Sequence, residues 1–172
     1  MIDFTTIFFK MTYTLTMYVD GGCRRNGYAG AIGAAACVIM GRGGRTQTWT
    51  QKLPLYDPQP TNQRAELEAI NLALEQGWEK YQRLVKDPYM AVTIFTDSKY
   101  ALGCMTQWKQ KWLNNNFTNC TGYDVANRDL IEIAYDLEDR LANEGRVEYR
   151  WIPRADNELA DEAVNEALDE ME

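Results

Sequence analysis

The stretch "TLTMYVDGG" (residues 14–22) decides how the rest of the chain reads. Leu15, Met17 and Val19 alternate with Thr16, Tyr18 and Asp20. That period of two marks a half-buried strand, and the glycines behind it predict a turn. The strand therefore carries Asp20 to its carboxyl end. In open α/β sheets, sites gather beyond such ends.

Working outward, "GAIGAAACVIM" (30–40) and "RTQTWTQKL" (45–53) flank "GRGG" and extend the first strand into a three-stranded antiparallel meander. "YDPQP" breaks the chain, and Thr61 opens a helix through "NQRAELEAINLALEQGWEKY" (62–81). "AVTIFTD" (91–97) reads as a strand, followed by helices over 98–108 and 127–142. "RVEYRWI" (146–152) is the last strand, and 156–170 the closing helix. The order β-β-β-α-β-α-α-β-α predicts a mixed α/β domain over residues 14–172.

The 172 residues, 45% of them apolar, suffice for one sizeable core. No apolar run reaches the length of a membrane span. "MIDFTTIFFKMTY" (1–13) is apolar but lacks a basic start and a small-residue cleavage site. It predicts an N-terminal extension that prolongs the first strand, not a secretion signal. Cys23, Cys37, Cys104 and Cys120 form no C-x-x-C pair. A zinc site is thereby disfavoured, and a reduced intracellular setting, cytoplasm or nucleus, is expected.

The net charge of −7 argues against a nucleic-acid partner until its distribution is read. Residues 155–172 hold eight acids and no base, leaving 17 acids against 18 bases elsewhere. The acidity is local to the C-terminal helix.

Four carboxylates stand out. Asp20 and Asp97 end predicted strands, although each alone also fits a turn or a helix cap. Glu66 falls on the apolar face formed by Ala65, Ala69, Ile70, Ala73 and Leu74, where a charge must be paired or coordinated. Asp161 borders the stripe Leu159, Ala160, Ala163, Val164 and is a candidate fourth ligand. The chain contains no histidine. Oxygen-only ligands suit Mg²⁺ or Mn²⁺. A divalent ion also lowers the pKa of water, so no imidazole base is required.

"YVDGGCRRNG", "TNQRAELEAI", "TIFTDSKYAL" and "WIPRADNELADEAV" resemble, in order, the four signature blocks of the type 1 ribonuclease H family. The resemblance spans residues 14–168. It implies a ribonuclease H-like five-stranded sheet, three strands antiparallel and two parallel, flanked by helices. It implies hydrolysis of the RNA strand of RNA–DNA hybrids with two Mg²⁺ ions, replaceable by Mn²⁺, held by Asp20, Glu66, Asp97 and Asp161. By motif position, Cys23, Arg25, Asn26, Asn62 and Gln63 would meet the hybrid at ribose 2′-hydroxyls. Thr61 and Asn127 would grip a DNA-strand phosphate. Trp108 and Trp112 would pack under a substrate-handling protrusion and against the DNA sugars, the alternative for both being core packing. A monomer without an obligate protein partner is expected.

The chain departs from the family's longer versions in two places. Only "PRAD" separates Ile152 from Asn157, so the final loop is short and lacks the glycine-histidine pair. Arg154 is its nearest polar substitute: unable to act as a base, it is assigned to substrate phosphate. The protrusion "LNNNFTNCTGY" (113–123) carries no charge, leaving Lys109 and Lys111 before it. Fewer cations imply weaker binding with a shallower salt dependence. The alternative to an enzyme is a non-catalytic nucleic-acid or protein-binding module that retains the fold. The four intact carboxylates favour the enzyme over it. A DNA nuclease of the same superfamily is disfavoured by the 2′-hydroxyl-reading positions.

Overall fold

The computed structural model describes residues 10–172. Most of the expected N-terminal extension, residues 1–9, lies outside the described residues. Strands β1 (Thr12–Arg24), β2 (Ile32–Met40) and β3 (Thr46–Lys52) come first. Helix α1 (Asn62–Gln82) leads to β4 (Tyr89–Thr96). Helices α2 (Lys99–Met105), α3 (Lys109–Asn114) and α4 (Arg128–Asn143) precede β5 (Gly145–Trp151), and α5 (Glu158–Asp169) closes the order.

The sheet runs β3-β2-β1-β4-β5. β1 pairs antiparallel with β2, which pairs antiparallel with β3; β1–β4 and β4–β5 are parallel. This is the mixed five-stranded sheet anticipated from the sequence. The period of two on β1 sends Leu15, Met17 and Val19 into one core with Leu67, Ile70 and Leu74 of α1 and Ile131 and Leu141 of α4. On the opposite face, Ala34 and Ala36 meet Ala163, Val164, Ala167 and Leu168 of α5. β2 is buried on both sides, which explains its unbroken apolar run.

Gly21 and Gly22 do not turn the chain. β1 continues through them to Arg24, so Asp20 lies within the strand and not at its end. The glycines serve close approach instead. A Cβ on Gly21 would stand 2.1 Å from the Ala65 carbonyl carbon of α1, and one on Gly22 would stand 2.7 Å from Val164 Cγ1 of α5. Both helices therefore rest directly on β1 beside Asp20. Gly21→Ala should cost about 2 kcal/mol or more, because backbone on both sides must yield. Denaturant unfolding of the variant checks this.

Two helix readings also change. Helix 98–108 stops at Met105, and a separate short helix, α3, follows it. The closing helix begins at Glu158, after a 3₁₀ turn over Arg154–Asp156. The acids at the C-terminal end are partly neutralised by the sheet: Arg24 pairs with Asp169 at 2.5 Å and Glu172 at 2.9 Å, and Lys52 with Glu170 at 2.9 Å.

Candidate active site

The parallel ladder between β1 and β4 ends at Val19–Thr96. Beyond it, β1 remains paired with β2 alone, as far as Arg24. Asp20 sits one residue past the end of this ladder on β1, and Asp97 one residue past it on β4. Glu66, in the first turns of α1, approaches the same point over the bare backbone of Gly21. Asp20, Glu66 and Asp97 each offer a carboxylate oxygen, and all three oxygens lie within 4.8 Å of one another.

Several contacts aim Asp97. Its main-chain carbonyl accepts the Trp151 indole N–H at 3.0 Å. Its Oδ1 accepts Asn157 Nδ2 at 3.2 Å. The same Nδ2 donates to the Val19 carbonyl at 2.9 Å, tying the start of α5 to β1. Ser98 caps α2 directly after it, with Oγ accepting the Ala101 N–H at 3.2 Å.

The cluster is electrostatically loaded. Burial, then the neighbouring Asp97 charge, pushes Asp20 up to about 7. Burial, then the charges of Asp20 and Asp97, pushes Glu66 up to about 9. Glu66 Oε2 is buried without a hydrogen-bond partner. An orphaned carboxylate oxygen facing two further carboxylates is what a hard divalent cation would satisfy, so the donor set fits Mg²⁺ or Mn²⁺.

Asp161 lines the same cleft but stands outside this trio. Its Oδ1 is ion-paired with Arg154, and its Oδ2 accepts Asn165 Nδ2 at 2.9 Å. Arg154, assigned from the sequence to phosphate, is thus engaged with a carboxylate.

The residues predicted to read the hybrid form two groups. In the first, the Cys23 N–H donates to Asn62 Oδ1 at 3.0 Å, and the Asn62 N–H donates to Asn26 Oδ1 at 3.2 Å. This clamp joins the end of β1 to the start of α1. Arg25 holds a left-handed backbone (φ 56°) beside it, and Gln63 is exposed on α1. In the second group, Thr61 caps α1 by accepting the Arg64 N–H at 3.2 Å. Asn127 precedes α4 with a left-handed backbone (φ 60°); it accepts Arg64 Nη1 at 3.4 Å and donates to Tyr100 Oη at 3.0 Å. Arg64 links Thr61 to Asn127 and is anchored to Asp129 at 2.6 Å.

The rings of Trp108 and Trp112 meet at a tilt of 45° with centroids 5.5 Å apart, half-buried against the core. Lys109 is not available for phosphate, since it pairs with Glu138 at 3.1 Å and lies over the Tyr135 ring at 4.7 Å. Sequence reasoning missed Arg64, Asn157, Trp151 and Tyr100 as supports of the site. Arg64 had a signal, standing three residues after the Thr61 cap. Asn157 falls inside the closing helix expected from the sequence; in the structure it stands just before α5, makes no side-chain cap and holds Asp97 instead.

No helix among the described residues is long and apolar enough to cross a membrane. The sequence profile of the RNase H family matches residues 12–169. A ribonuclease H of Schizosaccharomyces pombe is 36% identical over 121 residues, covering 70% of this chain and 40% of that protein. A ribonuclease H of Granulibacter bethesdensis is 33% identical over 156 residues, covering 88% of this chain and 89% of its relative. Among solved structures, RNase H1 from the halophilic archaeon Halobacterium salinarum NRC-1 superposes with a TM-score of 0.61 at 23% identity, over 92% of this chain and 99% of that one. With the profile match running from β1 into α5 and carboxylates gathered where the parallel β1–β4 ladder ends, the chain belongs to the RNase H family.

Proposed function

We propose that this ribonuclease H hydrolyses the RNA strand of RNA–DNA hybrids with two divalent ions, Mg²⁺ or Mn²⁺. Asp20, Glu66 and Asp97 would hold the ions, with Asp161 as fourth ligand. The ions would supply Lewis-acid activation of water and of the scissile phosphodiester. The observation that carries this reading is the cluster of three carboxylates with an orphaned Glu66 oxygen.

The chain's own groups do the rest. Asn157 and Trp151 hold Asp97 in place from its side-chain and main-chain sides. The clamp of Cys23, Asn26 and Asn62 presents short polar groups and main chain next to the cleft, suited to ribose 2′-hydroxyls. Thr61 and Asn127, braced by Arg64, form the candidate phosphate grip. Trp112 on α3 would meet the DNA sugars.

The test is a substrate panel: hybrid, duplex DNA, duplex RNA and single-stranded RNA, each with Mg²⁺. Cutting of the hybrid RNA strand alone, leaving 3′-hydroxyl and 5′-phosphate ends, supports the proposal. Equal cutting of duplex DNA overturns the substrate assignment.

The protrusion gives a separate expectation. With Lys109 committed to Glu138, α3 offers little charge to the substrate. Lysines at the exposed positions Leu113 and Asn114 should tighten hybrid binding. Each new phosphate contact should add about 0.7–0.9 to the log–log salt slope. Binding measured across a salt series reads the slope directly, and an unchanged slope would place the protrusion away from the substrate.

A further inference from the structure

The contacts of Asp161 differ from those of the other three acids. Both its carboxylate oxygens are taken by donors of this chain, Oδ1 by Arg154 and Oδ2 by Asn165. Neither donor has been assigned a role toward a metal. Asn165 lies on α5 four residues beyond Asp161, and its Nδ2 also donates to the Asp161 carbonyl at 2.9 Å, so it is fixed by the helix. Arg154 is different. Its side chain is 76% exposed, whereas that of Asp161 is 28% exposed. It is the partner free to leave.

The short loop places Arg154 there. The 3₁₀ turn is closed by the Asp156 N–H on the Pro153 carbonyl at 2.9 Å and the Asn157 N–H on the Arg154 carbonyl at 3.0 Å. Asn157, at the end of that turn, is anchored to Val19 and Asp97. The backbone of Arg154 is therefore pinned at the mouth of the cleft, and the guanidinium lines the same cleft as Asp20, Glu66, Asp97 and Asp161. A permanent positive charge sits in the cleft that the four carboxylates line.

We infer that Arg154 is a resident counter-cation that a divalent ion must displace from Asp161, so the site fills in steps: the trio first, the Asp161 side second. The inference rests on the two-ion reading above. Displacement breaks no covalent bond and moves no proton. It exchanges a guanidinium for a metal ion at one carboxylate oxygen. The released guanidinium then faces the cleft with its donors free, and substrate phosphate is the anion available to it. One residue thereby opposes metal loading and favours substrate.

An exposed ion pair is worth little, so the effect is modest but signed. Calorimetric titration of Mn²⁺ into the metal-free protein should show a tighter and a weaker event. Arg154→Ala should tighten the weaker event about three- to tenfold, through loss of the pair and of a nearby positive charge. It should move the tighter event less. Arg154→Lys keeps the charge and should fall between wild type and Arg154→Ala. With Ca²⁺ in place of Mn²⁺ to suppress turnover, Arg154→Ala should weaken hybrid binding, the opposite sign. A weaker Mn²⁺ event that is unchanged or loosened in Arg154→Ala would overturn the inference while leaving the metal reading intact. A wild-type protein giving no saturable Mn²⁺ heat would overturn the metal reading itself.

Discussion

Asp97→Asn should lose hybrid cleavage by at least about a thousandfold while the fold survives. The substitution keeps the shape of the side chain and the main-chain carbonyl that Trp151 holds. It removes one of the three carboxylates whose oxygens lie within 4.8 Å of one another. A neutral amide neither compensates a divalent ion nor accepts as strongly from Asn157. Glu66→Gln should behave alike, because Glu66 Oε2 has no partner in the protein to account for its burial. Single-turnover rates, with circular dichroism as a control for folding, make the comparison. Near-normal rates in Asp97→Asn would mean that the cluster is not the reaction centre.

Metal-free protein should lose stability as pH rises from about 4 to about 9, and divalent ions should restore it. Asp20 rises from its ordinary 3.8 to about 7 in the fold, mainly by burial and then by the Asp97 charge. Glu66 rises from 4.5 to about 9, by burial and by the same neighbours. For an acid whose folded pKa is raised, the neutral form favours the fold. Its contribution is complete below the unfolded pKa and disappears as pH climbs through the folded value. The loss therefore begins near pH 4, passes through about 7 for Asp20 and ends near 9 for Glu66. At about 1.4 kcal/mol per pKa unit, the rise of Asp20 alone corresponds to about 4 kcal/mol. Asp20→Asn should flatten the lower part of the curve and stabilise the metal-free protein at pH 8. Urea melts in EDTA and in excess Mg²⁺, across pH, read both effects. A metal-free stability that increases from pH 5 to 9 would contradict the account.

The same titration sets the expected pH–rate profile. Ligand carboxylates must be ionised to hold cations. Activity should rise toward alkaline pH without the limb that an imidazole would add, since the chain has none.

The strands were legible because their burial is one-sided or complete. Alternation on β1 and the apolar run of β2 report the two faces of one sheet. Glu66 was legible for the opposite reason, as a charge on an apolar helix face. What sequence reasoning misread at Gly21–Gly22 was the purpose of glycine: the chain needs absence of a side chain there, not reversal of direction. Helix α3 was missed because its six residues bury none of their own, leaving no amphipathic period to detect. The pairings of Arg154 with Asp161, Arg64 with Asp129 and Lys109 with Glu138 join distant or loop-separated groups. Local pattern carries no trace of them. They changed the reading of the site most, by showing which cations are already committed.

On the proposed mechanism the carboxylates act through divalent ions and need no histidine. Its most direct test is cleavage of a hybrid with labelled RNA by wild-type protein, first in EDTA and then with Mg²⁺ or Mn²⁺ added back. RNA should stay intact in EDTA, and either ion should restore cutting in full. Robust cutting of the RNA strand in EDTA would contradict that mechanism.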